Sequence, residues 1–334
     1  MQPFKSPIAR FNIYLTLLIF VAINSVPFLW TFLQSLKTLA QANSRTPVFI
    51  FKPTLDAYAK LWLRSVPENA GLIVLGFLAA MVVVILGAGL LGRMGVSKLK
   101  IWAVVLAGFY LIFWAIPRVL NTADFYDFFI NSVIVTVGTV TISISISCLA
   151  GYALARFSKI DGVIILIAAL AFRALPTMAF ALPYYQLSHL AGVHDTYFVL
   201  ILVLVAANQP FAVWMLRSFF MDIPREIEES AMVDGAGRLK AFVAVIMPIM
   251  WPGIVSTALF VVLGAYHQFL LVRILAQEKW TLAVAITQFA GSEYVATSTI
   301  PYAAAVSATI PLLVVIILFQ EQLVKGLTAG AVKG

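Results

Sequence analysis

One segment of this sequence is dense in polar and acidic residues: RSFFMDIPREIEESAMVDGAGRLKAFVAVIMPIMWPG, at 217–253. Asp222 can cap a helix there, and Pro224 suits a first helical turn because its missing N–H is not needed at that position. Gly235 suits the left-handed position that ends a helix. A second helix is expected from about 236 to 247, where prolines close it. The segment therefore predicts a short helix, a glycine turn and a second helix.

The first of these two helices has an apolar side and an acidic side. Its apolar residues fall at helical spacing and are Ile223, Ile227, Ala231 and Met232. Its acids are Glu226, Glu228, Glu229 and Asp234, against the single basic residue Arg225. A helix that rests on lipid usually carries Lys and Arg on its polar side. The acidic composition therefore favours docking in a groove of a protein partner.

Catalytic, metal and nucleotide chemistry is not indicated elsewhere in the sequence. His189 and His194 are five residues apart, which misses the i, i+4 spacing that places two metal ligands on one helix face, and we interpret them as solvated loop residues. The nearest match to a phosphate-binding loop, at 87–94, lacks the Lys and the Ser or Thr of that motif. No Gly-x-Ser-x-Gly elbow is present, and Cys148 is the one cysteine. We expect no catalytic residue, no metal site and no cofactor in this chain.

The elements that must position these residues are apolar. Hydrophobic residues make up 62% of the 334, charged residues make up 11%, and the mean hydropathy is +1.01. A soluble domain carries roughly a quarter charged residues, so the composition excludes a soluble enzyme and predicts an all-α polytopic membrane protein. Eight runs are long and apolar enough for a spanning helix. They are 11–36, 69–92, 101–117, 128–155, 162–194, 196–216, 241–272 and 294–320.

The Lys and Arg residues, which give a net charge of +8, predict the orientation of these helices. If the N-terminus is cytoplasmic and eight helices alternate, thirteen Lys and Arg lie in the cytoplasm, eight lie outside, and Arg173 lies within the membrane. Excess positive charge marks the cytoplasmic side, so we expect both termini there. The run 11–36 is too long for a cleaved signal, whose apolar part has about 7–15 residues. We therefore expect a retained first helix, followed by an outer loop at 37–68.

Polar residues within the apolar runs are candidates for a solute pathway. Arg173 is the one charge inside a predicted span, and such a residue is a functional hypothesis by default. The structural alternative is that it pairs with a helix end or snorkels to the interface. The other candidates are two short runs of polar residues, Asn208-Gln209 and Tyr266-His267-Gln268. Amide and aromatic groups suit sugar hydroxyls and ring faces, although packing is the more common explanation for each one.

The segment at 217–253 resembles the EAA loop of permease subunits of binding-protein-dependent ABC importers. That pattern is Glu-Ala-Ala, three residues, Gly, nine residues and Ile-x-Leu-Pro. Here Glu229-Ser230-Ala231 is followed after three residues by Gly235, and nine residues later by Val245-Ile246-Met247-Pro248. Further stretches resemble the carbohydrate-type branch, the maltose-permease G-subunit group. They are Asn131-Ser132, Gly151-Tyr152-Ala153-Leu154-Ala155-Arg156, Leu182-Pro183-Tyr184-Tyr185, Gly192-Val193-His194-Asp195-Thr196 and the ending 326–334.

The resemblance covers 1–66 loosely and 123–334 closely, and it implies a single type I ABC importer transmembrane domain over 1–334. Members of the group normally have six helices, so 69–117 is predicted to be an inserted helix pair beside a core at 123–322. The pair either braces the bundle or offers a surface to a partner. The segment at 220–248 is then the cytoplasmic EAA loop, whose first helix is the coupling helix.

The resemblance also implies the function. The chain is expected to be one of two permease subunits that import a sugar or related polyhydroxylated solute across a bacterial or archaeal inner membrane. Its expected partners are a second permease, two ATPase subunits that hold ATP and Mg, a solute-binding protein outside and the lipid bilayer, with no nucleic acid. The residues predicted to contact the ATPase are Glu228, Glu229, Ser230, Ala231, Asp234 and Gly235.

Two other functional classes compete with this interpretation. A secondary transporter acting without an ATPase should show inverted repeats and intramembrane acids. A membrane-embedded enzyme needs a nucleophile or a metal constellation. Neither set of features is found in the sequence.

Overall fold

The computed structural model describes residues 7–157, 160–289 and 298–331, and these are almost entirely helical. Lys5, Lys159 and Lys333, which contribute to the predicted orientation, lie outside the described residues. In the described ranges the one β pairing is an isolated bridge between Leu63 and Thr122. The helices are α1 Pro7–Ser35, α2 Leu39–Ala42, α3 Asp56–Trp62, α4 Ala70–Arg93, α5 Lys98–Val119, α6 Asp124–Arg156, α7 Ile160–Arg173, α8 Thr177–Leu190, α9 Tyr197–Met221, α10 Arg225–Val233, α11 Arg238–Ala241, α12 Met247–Ile249, α13 Trp251–Tyr266, α14 Leu270–Leu275, α15 Leu282–Phe289 and α16 Ile300–Ala331.

Within the described residues, six single helices are long and apolar enough to cross a membrane, and two bent pairs bring the number to eight if each pair is one span. The pair α7 and α8 is bent by 93°, and the pair Arg238–Ile249 and Trp251–Tyr266 is bent by 73°. Pro176 and Pro252 lie at these bends, where a residue without an N–H cannot continue the helical hydrogen-bond ladder. The prediction of an all-α polytopic membrane protein is confirmed.

The chain divides into two compact units. The first comprises Met1–Asp127 with Phe289–Val306, and the second comprises Phe128–Gln288 with Ser307–Gly334. In the first unit, α4 and α5 pack closely because Gly108 leaves room for Val84, whose nearest methyl would lie 2.8 Å from a Cβ at that glycine. The bounds predicted for the inserted pair and for the core stay predictions.

The segment predicted as an outer loop, 37–68, belongs to the first unit and contains α2 and α3. Lys37 is buried there, with its ammonium group 4.9 Å from the centre of the Trp30 ring and 5.3 Å from that of Phe51. The aromatic faces attract the cation electrostatically and replace part of its hydration. Lys37, counted in the sequence as an outside charge, is thus packed into the unit.

In the second unit, α6 presents a side of small polar residues to the bundle. The buried members are Ser132, Thr136, Thr139, Ser143 and Ser147, which recur every three or four residues. One turn further on, a Cβ on Gly151 would lie 3.1 Å from the backbone nitrogen of Arg217 in α9. Small residues let helices approach closely in a membrane, so this side of α6 fixes the distance to α9.

Asp195 ties two loops of the second unit together at the end of that unit where α9 begins. The residue has φ +57°. Its carboxylate accepts hydrogen bonds from the backbone N–H groups of Gln277, Glu278 and Lys279, over 2.9–3.2 Å. Ser132 adds a further tie, because its Oγ accepts from the N–H of Leu282 at 2.7 Å. The segment before α9 is thereby held against the segment that leads into α15.

Replacing Asp195 with Asn should lower the stability of the second unit by about 1–3 kcal/mol at neutral pH. A neutral amide oxygen accepts the three N–H groups more weakly than a carboxylate does, and Asn tolerates the left-handed backbone. Burial raises the pKa of Asp195, but the N–H donors of Gln277, Lys279 and Glu278 and the charge of Lys279 outweigh it and hold the pKa below the usual value of an aspartate. The stabilisation is therefore complete above the unfolded-state pKa and is lost as pH falls through the folded-state pKa.

Thermal unfolding of the purified chain in detergent measures this effect. The difference between wild type and Asp195→Asn should be largest near neutral pH and should shrink below about pH 4. Glu321→Gln, which changes an exposed acid of the same unit, is the control and should alter the unfolding temperature little. A difference that stays constant across this pH range would contradict the role assigned to the Asp195 carboxylate.

Candidate functional sites

The helix at the centre of the acidic segment is α10. It begins at Arg225 after Pro224, which makes no side-chain capping hydrogen bond. Asp222, predicted to cap this helix, instead follows the last residue of α9 and donates its backbone N–H to carbonyls of that helix. The capping prediction was wrong because α9 continues to Met221, past the end of the apolar run at 216. Only a short linker then remains before α10.

A glycine turn ends α10, as the sequence predicts. Gly235 has φ +87°. Its N–H donates to the carbonyl of Met232 at 3.1 Å, and the N–H of Ala236 donates to the carbonyl of Ala231 at 3.0 Å. This pair of bonds is the Schellman arrangement, which satisfies the last carbonyls of a helix. Glycine adopts the left-handed conformation that it requires at the lowest cost.

The second helix of the segment differs from its prediction. It starts at Arg238, passes through the π-helical stretch Phe242–Ile246 and continues to Ile249. Pro248, predicted to close it, lies in the first turn of α12. A proline in a first turn removes an N–H that has no intrahelical partner there, so the helix continues past it.

Most of the residues predicted to contact a partner lie on the outer side of α10. Glu229, Ser230, Asp234 and Gly235 are exposed, and Ala231 is half-buried. Val233, at the end of the same helix, is 87% exposed. The outer side thus carries carboxylates next to an apolar side chain. Contact of this side with a partner stays a prediction.

Glu228 departs from the other members of that set, because its side chain points into the protein. Its carboxylate accepts a hydrogen bond from Nε of Arg156 at 3.1 Å and another from the hydroxyl of Tyr152. The side chains of Arg156 and Glu228 are 6% and 9% exposed. The prediction that Glu228 lies on the contact surface is therefore corrected.

The correction follows from the rotation of α10 about its own axis. Its inner side is centred on Glu228, Ala231 and Met232, whereas Ile227, which the sequence places on the apolar side of the helix, is 37% exposed. A glutamate occupies the inner side because Arg156 supplies a positive charge and hydrogen bonds that a carboxylate loses when it leaves water. The apolar pattern of α10 alone contains no information about that arginine, which lies 72 residues earlier.

A cavity of about 340 Å³ lies in the second unit, between the end of α7, the start of α8, the middle of α9, the end of α13 and the start of α14. It brings together three of the six predicted pathway residues, Arg173, Asn208 and Gln268. Arg173 is the one charged residue among the described residues that line it, and Thr177 and Tyr184 add hydroxyl groups. The cavity is apolar apart from these hydrogen-bonding groups, which is the usual composition of a site for a small polar molecule.

Two of these residues owe their positions to specific local features. Arg173 ends α7 at the 93° bend, and its guanidinium carbon lies 4.8 Å from the centre of the Phe211 ring. Asn208 donates from Nδ2 to the carbonyl of Leu204 at 2.8 Å. Its Oδ1 fits because Gly264 faces it, since a Cβ at that position would collide with the oxygen.

The other three predicted pathway residues lie away from the cavity. Gln209 donates from Nε2 to Oγ of Ser147 at 2.8 Å, between α9 and α6. The hydroxyl of Tyr266 donates to the carbonyl of Ala308 at 2.6 Å, and His267 is the exposed residue that follows α13. Neighbours in a helix point about 100° apart, so adjacent polar residues do not share one face. The structure therefore brings three of the six candidates together at the cavity and places the other three elsewhere, and a role in a solute pathway stays a prediction.

The sequence analysis missed Phe211, which contacts Arg173, and Gly264, which leaves room for Asn208. Phe211 lies three residues after Asn208, and Gly264 lies four residues before Gln268. Phe211 and Asn208 share a helix face at this spacing, which was the available signal for Phe211, whereas Gln268 follows the end of α13 and gave no such signal for Gly264. The role of the glycine becomes apparent only when α9 lies against α13.

His189 and His194, interpreted as solvated loop residues, form a stacked pair. Their ring centres are 3.9 Å apart and the ring planes differ by 22°. His189 is exposed, whereas His194 is half-buried, with Nδ1 3.2 Å from Oγ of Ser188. Burial and the charge of His189 lower the pKa of His194, against the opposing effect of Asp195. In the described part of the chain no group of three or more His, Cys, Asp and Glu side chains could hold a metal ion.

Replacing Gly235 with Val should loosen the end of α10 by about 1–2 kcal/mol, because a side chain is strained in the left-handed conformation. Amide hydrogen exchange of residues 230–236 in the purified chain should accelerate about tenfold. Gly237→Ala is the matched control, since Gly237 has φ −66° and a Cβ there meets nothing within 4 Å. Equal exchange rates in the two variants would show that the Gly235 turn does not hold the helix end.

Comparisons with known proteins add a family assignment to this geometry. A family model described as "Binding-protein-dependent transport system inner membrane component" matches residues 85–329. A solved chain of a bacterial ABC transporter involved in the import of the acidic polysaccharide alginate has a similar fold. Its TM-score is 0.64 at 19% identity, and the match covers 96% of this chain and 99% of that one.

Three curated relatives extend this comparison. A probable ABC transporter permease of Sinorhizobium fredii is 35% identical over 229 residues, 68% of this chain and 79% of the relative. A maltodextrin transport system permease of Bacillus subtilis is 29% identical over 219 residues, which are 65% of this chain and 79% of the relative. A trehalose/maltose transport system permease of Thermococcus litoralis is 34% identical over 225 residues, which are 65% of this chain and 80% of the relative. Because the family model spans well over half of its length, the chain belongs to the inner membrane components of binding-protein-dependent transport systems.

Proposed function

We propose that this chain is one of two permease subunits of an ATP-driven importer, and that it takes up a sugar or a related polyhydroxylated solute from an extracytoplasmic solute-binding protein. The family assignment supports the transport class. Relatives named for maltodextrin and for trehalose and maltose support the substrate class. The alternative of a secondary transporter acting without an ATPase has no support among these relatives.

The observation that carries the proposal is the geometry of α10. It is a nine-residue helix with exposed acids, closed by a Schellman turn at Gly235 and placed in a segment with the spacing of the EAA loop. The Lys and Arg distribution predicts that this loop is cytoplasmic, which is the side of the ATPase subunits. In this proposal the outer side of α10 contacts the ATPase. The contact residues are the exposed Glu229, Ser230, Asp234 and Gly235, together with the half-buried Ala231 at the edge of this side.

The chemistry of ATP is assigned to the partners. ATP and Mg²⁺ bind to the two ATPase subunits, and this chain supplies half of the transmembrane pathway together with the coupling helix. The family assignment, which is to a membrane component of a transport system, supports this division of labour. The chain itself then carries out no hydrolysis.

The cavity of the second unit is assigned to the solute pathway. Its guanidinium, amide and hydroxyl groups donate and accept hydrogen bonds, and the rings of Phe180 and Tyr184 offer flat faces. Its volume of about 340 Å³ falls in the range of small-molecule sites. Arg173, Asn208 and Gln268 are the residues assigned to contact the solute.

Affinity purification of the tagged chain from its native membrane in mild detergent tests the proposal. The expected preparation contains a second permease and an ATPase, and it hydrolyses ATP in a vanadate-sensitive manner. The chain purified alone should do neither transport nor hydrolysis. Uptake by the chain alone in liposomes, driven by an ion gradient, would overturn the assignment to an ATP-driven importer.

Replacing Arg173 or Gln268 with Ala should weaken solute uptake by the complete transporter. Each variant removes hydrogen bonds from the cavity, and a loss of about 1–2 kcal/mol corresponds to a 5- to 30-fold rise in the apparent KM. The measurement is uptake of labelled maltose, trehalose and maltodextrin into proteoliposomes that contain the complete complex and its binding protein.

Gln186→Ala is the matched control for this experiment. Gln186 lies exposed on α8 and does not line the cavity. The control should transport like wild type. If Arg173→Ala and Gln268→Ala both keep the wild-type apparent affinity for every solute that the wild type transports, the cavity is not part of the recognition site.

A further inference from the structure

The inner side of α10 is attached to the last turn of α6 by a buried ion pair. Arg156 donates from Nε to Glu228 at 3.1 Å, with both side chains less than a tenth exposed. The hydroxyl of Tyr152, one turn earlier in α6, donates to the other carboxylate oxygen. Both oxygens of Glu228 are therefore held by residues of one helix, which fixes the rotation of α10 as well as its distance from α6.

Backbone contacts extend this attachment to the start of α10. Arg156 donates from Nη2 to the carbonyl of Ile223 at 3.1 Å, in the linker that precedes the helix. In the opposite direction, Arg225 donates from Nη2 to the carbonyl of Arg156 at 3.4 Å. The bonds run both ways between the end of α6 and the start of α10, so neither element can shift along the other without breaking several of them.

Aromatic rings keep water from this attachment. The ring of Tyr152 lies 4.6 Å from that of Phe242 and 5.6 Å from that of Phe220, measured between ring centres, and Phe157 lies at 6.0 Å. Phe220 is fully buried and Phe242 nearly so. Charged hydrogen bonds in such a dry environment are strong and directional. Leaving one partner unpaired there is costly.

The other acids of α10 contrast with Glu228. Glu226 and Glu229 are exposed, and the pair of Arg156 with Glu228 is the one ion pair that the structure records among the described residues of the second unit. A buried ion pair is weak evidence for stability, because well-packed apolar side chains often stabilise as much. Its particular property is that it permits one relative position of the two elements, which an apolar contact does not.

We propose that Tyr152, Arg156 and Glu228 form a rigid joint that makes α10 and the last turn of α6 move as one body. A displacement of α10 is then passed to α6 directly, and the three residues act as positioning residues for coupling. This inference rests on the proposed function, because it takes an ATPase as the source of the displacement.

Hydrogen exchange in the purified chain, without any partner, is the first part of the test. Glu228→Ala should accelerate exchange across residues 225–235 at least about tenfold, because a buried charge loses its partner. Glu226→Ala, an exposed acid two residues away, is the matched control and should change exchange less than about twofold. Tyr152→Phe keeps the ring and removes one hydrogen bond, so about a threefold acceleration is expected.

Hydrogen exchange in the complex with the ATPase, with and without ATP and vanadate, is the second part. In wild type, exchange should change in α10 and in residues 151–156 together. In Glu228→Gln, which keeps an acceptor for Tyr152 and the volume of the side chain, the change in α10 should persist and that in 151–156 should fall by at least half. A loss of stability alone would alter both segments in parallel.

Two results would overturn the joint. One is equal exchange in Glu228→Ala and Glu226→Ala, and the other is an undiminished response of 151–156 in Glu228→Gln. If Glu228→Ala cannot be purified, Tyr152→Phe and Glu228→Gln replace it in the exchange measurement on the purified chain. Exchange rates of residues 225–235 that match wild type in both variants would then contradict the proposal. Failure to recover any ATPase with the chain would contradict the proposed function but leave the first comparison valid.

Discussion

Close packing of α6 against α9, which small residues of α6 permit along part of its length, positions residues of both candidate sites. Serine and threonine recur along it down to Gly151, where the two backbones come close enough that a Cβ would crowd the nitrogen of Arg217. A side chain at Gly151 would push the end of α9 outward. The contact therefore sets the position of a helix that runs from one end of the second unit to the other.

The middle and the last turn of α9 each contribute to one of the sites described above. Its middle carries Asn208 to the cavity, where Gly264 of α13 makes room for it. Its last turn carries the fully buried Phe220 to the aromatic group around Tyr152, beside the buried pair that holds α10. The cavity and the acidic loop are thus built on one rigid helix, which gives a physical connection between them without any contact from cavity to loop.

Local features of the sequence predicted a large part of this architecture. The eight apolar runs predicted the helices, because each backbone in a membrane must satisfy its own hydrogen bonds. The turn at Gly235 was predictable because only its own backbone conformation decides it. The inward position of Glu228 could not be predicted in this way, because it depends on Arg156. Nor could the sequence show that Asn208 lines the cavity while Gln209 faces α6, because this depends on the rotation of α9 against α6 and α13. These two positions were decided by residues distant in sequence.

The bend between α7 and α8 lies beside the cavity, and each feature accounts for the presence of the other. A break in a helix leaves carbonyl and N–H groups without helical partners, and non-helical backbone at membrane depth is tolerated only where it is enclosed by protein or faces a water-filled space. Leu175, within the break, and Arg173 and Thr177, on either side of it, all line the cavity. The same opening reaches the guanidinium of Arg173, which lies against the face of Phe211. A charge that would be costly in a straight span is therefore accommodated here, and the proline that breaks the helix creates the polar space which a solute could enter.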